Sequence, residues 1–192
     1  MKRVRALFVS CIIGCLMTCA VPAYSPAVMV GFSTKELKQD SDLIVVGQVE
    51  DTESFWSEDG TIIMTRASVV AEDTVMGTTP PERVWVEYEG GTIGEIGLKV
   101  SDISPLEKGE RVLLFLREGK SRKPVTEEER SLLRKGGPAV PVYSIVGQAQ
   151  GKYRIDQEGR AKRGGFAAEG DARETDNDLP LDDLIGRIRN LR

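Results

Sequence analysis

The sequence predicts a mainly β chain: a small antiparallel barrel with Greek-key strand order, a short helix before it and an amphipathic helix after it. Three observations carry this reading. Between residues 43 and 155 the apolar residues come in short β-branched runs or in alternation, separated by turns rich in Gly, Pro and Asp. The two opening strands are long, and the first carries a glycine in mid-strand, which permits the sharp coil that a small closed barrel needs. Helical patterns occur only at the margins, against alternating β/α units.

Taken in order, Ser33-Thr34-Lys35-Glu36 is a capping-box pattern, with Ser33 at the N-cap and Glu36 at N3. It opens a helix of about two turns, to Asp40, whose main apolar contact is Leu37. Leu43-Ile44-Val45-Val46-Gly47-Gln48-Val49 starts as a doubly buried strand. Glu58-Asp59-Gly60 signals a hairpin. In the returning strand, 61–75, Ile63, Thr65, Ala67 and Val69 alternate with Met64, Arg66 and Ser68. After a turn over 76–81, Val84, Val86 and Tyr88 face one way, with Trp85 and the charges opposite.

Gly90-Gly91, Gly94 and Gly97 read as a bent or bulged strand turning a barrel corner. A phosphate cradle would need Gly-Lys-Ser/Thr or an immediate helix, and neither follows. Arg111-Val112-Leu113-Leu114-Phe115-Leu116-Arg117 is the most apolar strand and is expected to be central. Residues 119–138 form a polar insertion with an exposed helix over 126–135. Strands resume at Val142 and at Tyr153, and the barrel domain is bounded at 24–157. Residues 158–178 have a linker's composition. Pro180 opens a C-terminal helix within 179–192, with Leu181, Leu184, Ile185, Ile188 and Leu191 on one face.

Ahead of all this, Met1-Lys2-Arg3-Val4-Arg5 is basic, residues 6–20 are almost unbroken apolar, and Val21-Pro22-Ala23 offers small residues before a cut at Tyr24. Residues 1–23 therefore read as a signal peptide, the run being too short for an ordinary membrane span. The chain has no histidine, and its three cysteines (Cys11, Cys15 and Cys19) all lie in this leader. Ile12-Ile13-Gly14-Cys15 also resembles a lipobox, which makes Cys15 a possible lipidation site. The apolar residues that continue beyond it fit a plain signal core better. The expected localisation is exported, periplasmic or extracellular, with membrane attachment only if Cys15 is lipidated.

The mature chain then has neither His nor Cys. No disulfide can staple it, so it depends on a packed core. The usual ligands for zinc, haem and iron–sulfur clusters are missing, and no cofactor is expected. Loss of Lys2, Arg3 and Arg5 takes the formal charge from −4 to −7, which argues against nucleic acid or anionic lipid as partner.

The short helix followed by Asp42-Leu43-Ile44-Val45-Val46-Gly47-Gln48-Val49 resembles the opening of netrin-like OB-fold domains, including the tissue inhibitors of metalloproteinases. The Gly-Gly stretch, the Lys108-Gly109-Glu110-Arg111-Val112-Leu113-Leu114-Phe115-Leu116 strand and the closing pair from Val146-Gly147 to Tyr153 are similar to exported bacterial proteins of this kind. The resemblance covers 33–155 without the insertion and implies an OB-like barrel. It transfers no inhibitory residue: those inhibitors chelate zinc through an N-terminal cysteine, and netrin-like domains are stapled by disulfides.

Four aromatics are the candidate binding residues. They are Phe55, Trp56, Trp85 and Tyr88: Trp85 lies opposite the expected core face, and Phe55 and Trp56 lie near a hairpin tip; OB-type barrels bind on a strand face and its flanking loops. Other constellations are read as structural. Asp171, Glu174, Asp176, Asp178, Asp182 and Asp183 do not match a calcium loop and suit a solvated tail with helix N-terminal acids. Glu53, Glu58 and Asp59 near Trp56 could form a glycosidase pair only if close in space. Ser33, Ser54 and Ser144 would need a lysine base (Lys35, Lys38 or Lys152) to act as nucleophiles. No catalytic or metal residue is assigned. The expected function is an exported, non-catalytic domain that binds a protein of the envelope or exterior. The alternatives are a carboxylate-dependent hydrolase of polysaccharide or peptide, or a structural envelope lipoprotein.

Overall fold

The computed structural model describes residues 31–78, 82–119, 141–163 and 176–191. The leader with Cys15, nearly all of the 119–138 insertion and its helix lie outside them, as do residues 164–175. Helix α1 (Thr34–Gln39) is followed by strands β1 (Leu43–Trp56), β2 (Ile63–Met76), β3 (Arg83–Glu89), β4 (Gly91–Ile93), β5 (Ile96–Leu98) and β6 (Arg111–Glu118). Then come β7 (Val142–Ile145), a 3-10 turn (Gln148–Gly151), β8 (Lys152–Ile155), β9 (Arg160–Arg163), β10 (Leu179–Pro180) and helix α2 (Leu181–Asn190).

The barrel closes in the order β1-β2-β3-β7-β6 and back to β1. Every pairing is antiparallel except β3 with β7, where Trp85 lies beside Val142 and Glu87 beside Ser144. This is a mainly β, five-stranded, OB-like barrel with Greek-key order and a helix at each margin, as the sequence predicts. β7 and β8 share one edge of β6: β7 takes Leu116 to Glu118 and β8 takes Val112 to Leu114. Between them the chain loops out through Gly147, at φ +63°, and the 3-10 turn.

The doubly buried runs are explained by two cores, one on each side of the sheet. Leu43, Val45, Val49, Val112, Leu114 and Leu116 fill the barrel with Ala67, Val69, Val84, Val86 and Tyr88. Ile44, Val46, Leu113 and Phe115 point outward into a second core, covered by Leu37 of α1 and by Leu181, Leu184, Ile185 and Ile188 of α2. The capping box that starts α1 is formed: Ser33 Oγ accepts from Glu36 N at 3.2 Å, and Ser33 N donates to Glu36 Oε2 at 2.8 Å.

Two expectations are corrected. The linker reading of 158–178 fails at Arg160–Arg163, which pairs with β8 on one side and with Leu179–Pro180 on the other. Its low apolar content hid a strand of which only Ala161 needs full burial. The glycine-rich stretch is not a bent barrel strand. It leaves the barrel as a separate two-stranded ribbon, β4 and β5, through Gly90 and Gly91 at φ +106° and +130°, backbone that favours glycine.

Gly47 marks the closest approach of β1 to β2. A Cβ there would stand 2.4 Å from the Val70 carbonyl oxygen and 2.8 Å from Val69 Cγ1, and the ladder shifts register between Val46 and Gly47. Gly47→Ala is expected to cost about 1–3 kcal/mol in urea denaturation, since backbone, not a flexible side chain, must move. An unchanged midpoint would mean that β1 coils less tightly than this.

Candidate binding surface

The β1–β2 hairpin ends in a polar tip that holds itself rigid. Ser57 Oγ, Thr61 Oγ1 and Thr61 N all donate to Asp59 Oδ1, at 2.6, 2.8 and 3.1 Å. These bonds, led by that of Ser57, hold the Asp59 carboxyl down to about 2, so the tip is charged throughout the neutral range. Ser57 N donates to Ile62 O at 2.8 Å, closing the turn between Trp56 and Ile62.

The β4–β5 ribbon crosses the same end of the barrel. Gly90 N donates to Ile63 O at 2.8 Å, and Thr65 Oγ1 donates to Gly90 O at 2.6 Å. Thr92 N donates to Ser54 Oγ at 3.2 Å, and the Ser54 and Thr65 hydroxyls lie 3.0 Å apart. A Cβ on Gly91 would stand 2.3 Å from both hydroxyls, so glycine permits the ribbon to lie across β1 and β2 here. Ser54 and Trp56 are two residues apart on β1 and share a face. The ribbon and the indole therefore occupy one side of one barrel end.

That end holds all the exposed large apolar side chains among the described residues: Trp56 at 43 %, Ile62 at 37 %, Ile96 at 58 % and Leu98 at 37 %. Trp56 stands opposite Ile63 across the β1–β2 ladder, and Ile63 is buried.

The four candidate aromatics are not brought together. Tyr88 lies inside the barrel, and its hydroxyl accepts from Leu106 N at 3.2 Å. Trp85 is on the outer face as expected, but it is buried. Both are corrected as surface residues: alternation fixes which way a side chain points, not whether something lies over it. Phe55 is half-buried on the face opposite Trp56, with the Arg66 guanidinium 5.6 Å above its ring. Of the four, Trp56 alone is substantially exposed. Sequence reasoning missed Ile62, Ile96 and Leu98; the available signal was large apolar residues set directly beside turn residues, at Asp59-Gly60-Thr61-Ile62 and Gly94-Glu95-Ile96-Gly97-Leu98.

The other candidate groups are committed elsewhere. Arg66 and Glu87 form a buried cross-strand ion pair. Asp176 pairs with Arg187 and Asp178 with Arg160. Asp171 and Glu174 lie outside the described residues, among which no group of three or more acids, His or Cys could hold a metal. Ser33 bonds Glu36, Ser54 faces Thr65, and Ser144 reaches the Arg117 carbonyl. Lys38 is spent on the carbonyls of Ile188 and Leu191, and Lys152 on Glu110. No helix among the described residues is long and apolar enough to cross a membrane. No protein-family model, curated protein or solved structure matches the chain.

Proposed function

We propose that this chain is an exported, non-catalytic domain that binds another protein of the cell envelope or exterior through the Trp56 end of its barrel. The observation that carries the reading is the concentration of Trp56, Ile62, Ile96 and Leu98 at one end, on two tightly braced hairpins. Clustered exposed apolar side chains on braced turns are what an interface supplies, and isolated ones are not. The leader supports export, and the OB-like strand order supports kinship with netrin-like domains in fold, without their cysteines. The non-catalytic part of the reading draws on commitment. The buried carboxylates among the described residues, Glu87 and Glu110, each accept from a buried cation, so neither is poised as a general acid or base.

The test is a photo-crosslinking amino acid placed at position 56 of the full chain in its source organism. A second placement, at the exposed Arg117 beside Asp40 near the other end of β1, serves as control. One dominant protein adduct from position 56 and none from 117 is the expected result. In competition with the parent chain, Ile96→Ser is expected to lower capture about tenfold, as loss of an apolar anchor does. Equal adducts from both positions, or none from position 56, would refute the reading.

A further inference from the structure

The charges around this apolar end narrow the chemistry of its partner, given the binding role proposed above. Residues 51–65 and 84–98 contain no lysine or arginine. Of the exposed acids in these stretches, Glu58, Asp59 and Glu95 lie at the two hairpin turns; Asp51 pairs with Lys108, and Glu53 and Glu89, opposite Arg66 and Met64 on the ladder, share the face of Phe55 and point away from Trp56. None of the three turn acids has an ion-pair partner among the described residues. Elsewhere on the barrel and α2 many surface acids are paired: Glu50 with Arg83, Glu72 with Arg111, Asp40 with Arg117, Asp73 with Arg189. Lys99, at the exit of the ribbon, is the nearest exposed cation in sequence.

An apolar patch with an unpaired acidic rim repels a second copy of itself. A twofold contact would set the three turn carboxylates against their own copies, and like charges facing across an interface repel. The same rim disfavours an anionic membrane surface or nucleic acid. We infer that the occupant is a cationic polypeptide segment in which lysine or arginine alternates with large apolar residues. The apolar side chains would cover Trp56, Ile62, Ile96 and Leu98 while the cations meet the rim. Rim charges act on encounter and selectivity, and the desolvated apolar centre holds the complex.

The experiment uses the mature chain and two fluorescein-labelled synthetic peptides, one alternating leucine with lysine and one alternating leucine with glutamate, read by anisotropy. The lysine peptide is expected to bind at least about tenfold more tightly, and less tightly as salt is raised to ~150 mM. Replacing Glu58 and Glu95 together by glutamine is expected to weaken it about tenfold and to flatten the salt dependence. Trp56→Ser is expected to weaken it by a similar factor while leaving the salt dependence in place.

Equal binding of the two peptides, or unchanged binding by the double glutamine variant, would overturn the inference. So would concentration-dependent dimerisation that Trp56→Ser abolishes, since a second copy would then own the surface. Position-56 adducts that persist in the double glutamine variant would leave the binding role standing and remove only the cationic partner. Loss of both results would remove both.

Discussion

Glu110→Gln is expected to cost about 3–5 kcal/mol of stability, the usual penalty for stripping one partner from a buried ion pair. Glu110 and Lys152 are both almost fully buried, and Lys152 Nζ stands 2.7 Å from Glu110 Oε2. The same oxygen accepts from Glu107 N at 3.1 Å, and Lys152 Nζ also donates to the Pro105 carbonyl. A neutral amide keeps the shape but leaves an ammonium without its counter-charge in the protein interior. The midpoint of a urea titration at pH 7 checks the cost. Glu110→Gln with Lys152→Met should recover most of it, because replacing both charges removes the unpaired one. Lys152→Met alone should cost less than Glu110→Gln, since Arg154 lies 3.8 Å from the other Glu110 oxygen and is exposed enough to swing in. A loss below about 1 kcal/mol for Glu110→Gln would mean that water reaches the pair.

The pair also bears on the proposed interface. It fixes the segment between β5 and β6, on which Leu106 holds the Tyr88 hydroxyl inside the barrel. That segment is the return path of the β4–β5 ribbon. Loosening it frees the ribbon that carries Ile96 and Leu98 across this end of the barrel, so Glu110→Gln should weaken capture at position 56 as well as stability.

Much of the fold was legible because burial on both sides of a sheet leaves an unmistakable run of apolar residues. Leu43-Ile44-Val45-Val46 and Val112-Leu113-Leu114-Phe115-Leu116 alternate between the two cores. The capping box at Ser33 and the hairpin at Asp59 were equally readable, since each is a local pattern whose partners lie within a few residues. What sequence could not supply is pairing at a distance. Arg66 with Glu87 and Glu110 with Lys152 are 21 and 42 residues apart. Their charges suggested exposed positions, and only the fold shows them buried. β9 was lost for a related reason: its pairing partner Leu179 lies beyond the stretch of linker composition. Trp85 was placed on the correct face and credited with exposure it does not have.

Leu184→Ala is expected to cost about 2–5 kcal/mol, and the size of this effect decides whether α2 belongs to the domain. Leu184 and Ile188 are fully buried in the outer core with Leu37, Phe115 and Tyr153. The helix is held at its far end as well: Lys38 Nζ donates to the carbonyls of Ile188 and Leu191, at 2.7 and 2.6 Å. β10 brings it in by pairing Leu179 with Ala161. Truncating Leu184 leaves a cavity walled by β-strand side chains whose backbone is fixed in the ladder, so little collapse is available and the cost should lie in the upper half of the range. The urea midpoint should fall with its slope unchanged, because the helix unfolds with the barrel as one unit. A loss under about 0.5 kcal/mol would be that of a surface residue, and α2 would then be free of the domain in solution. Docking of α2 covers Ile44, Val46, Leu113 and Phe115 on the outer side of β1 and β6. The helix therefore completes the scaffold that carries the β1–β2 hairpin, and its cooperative loss would take the Trp56 surface with it.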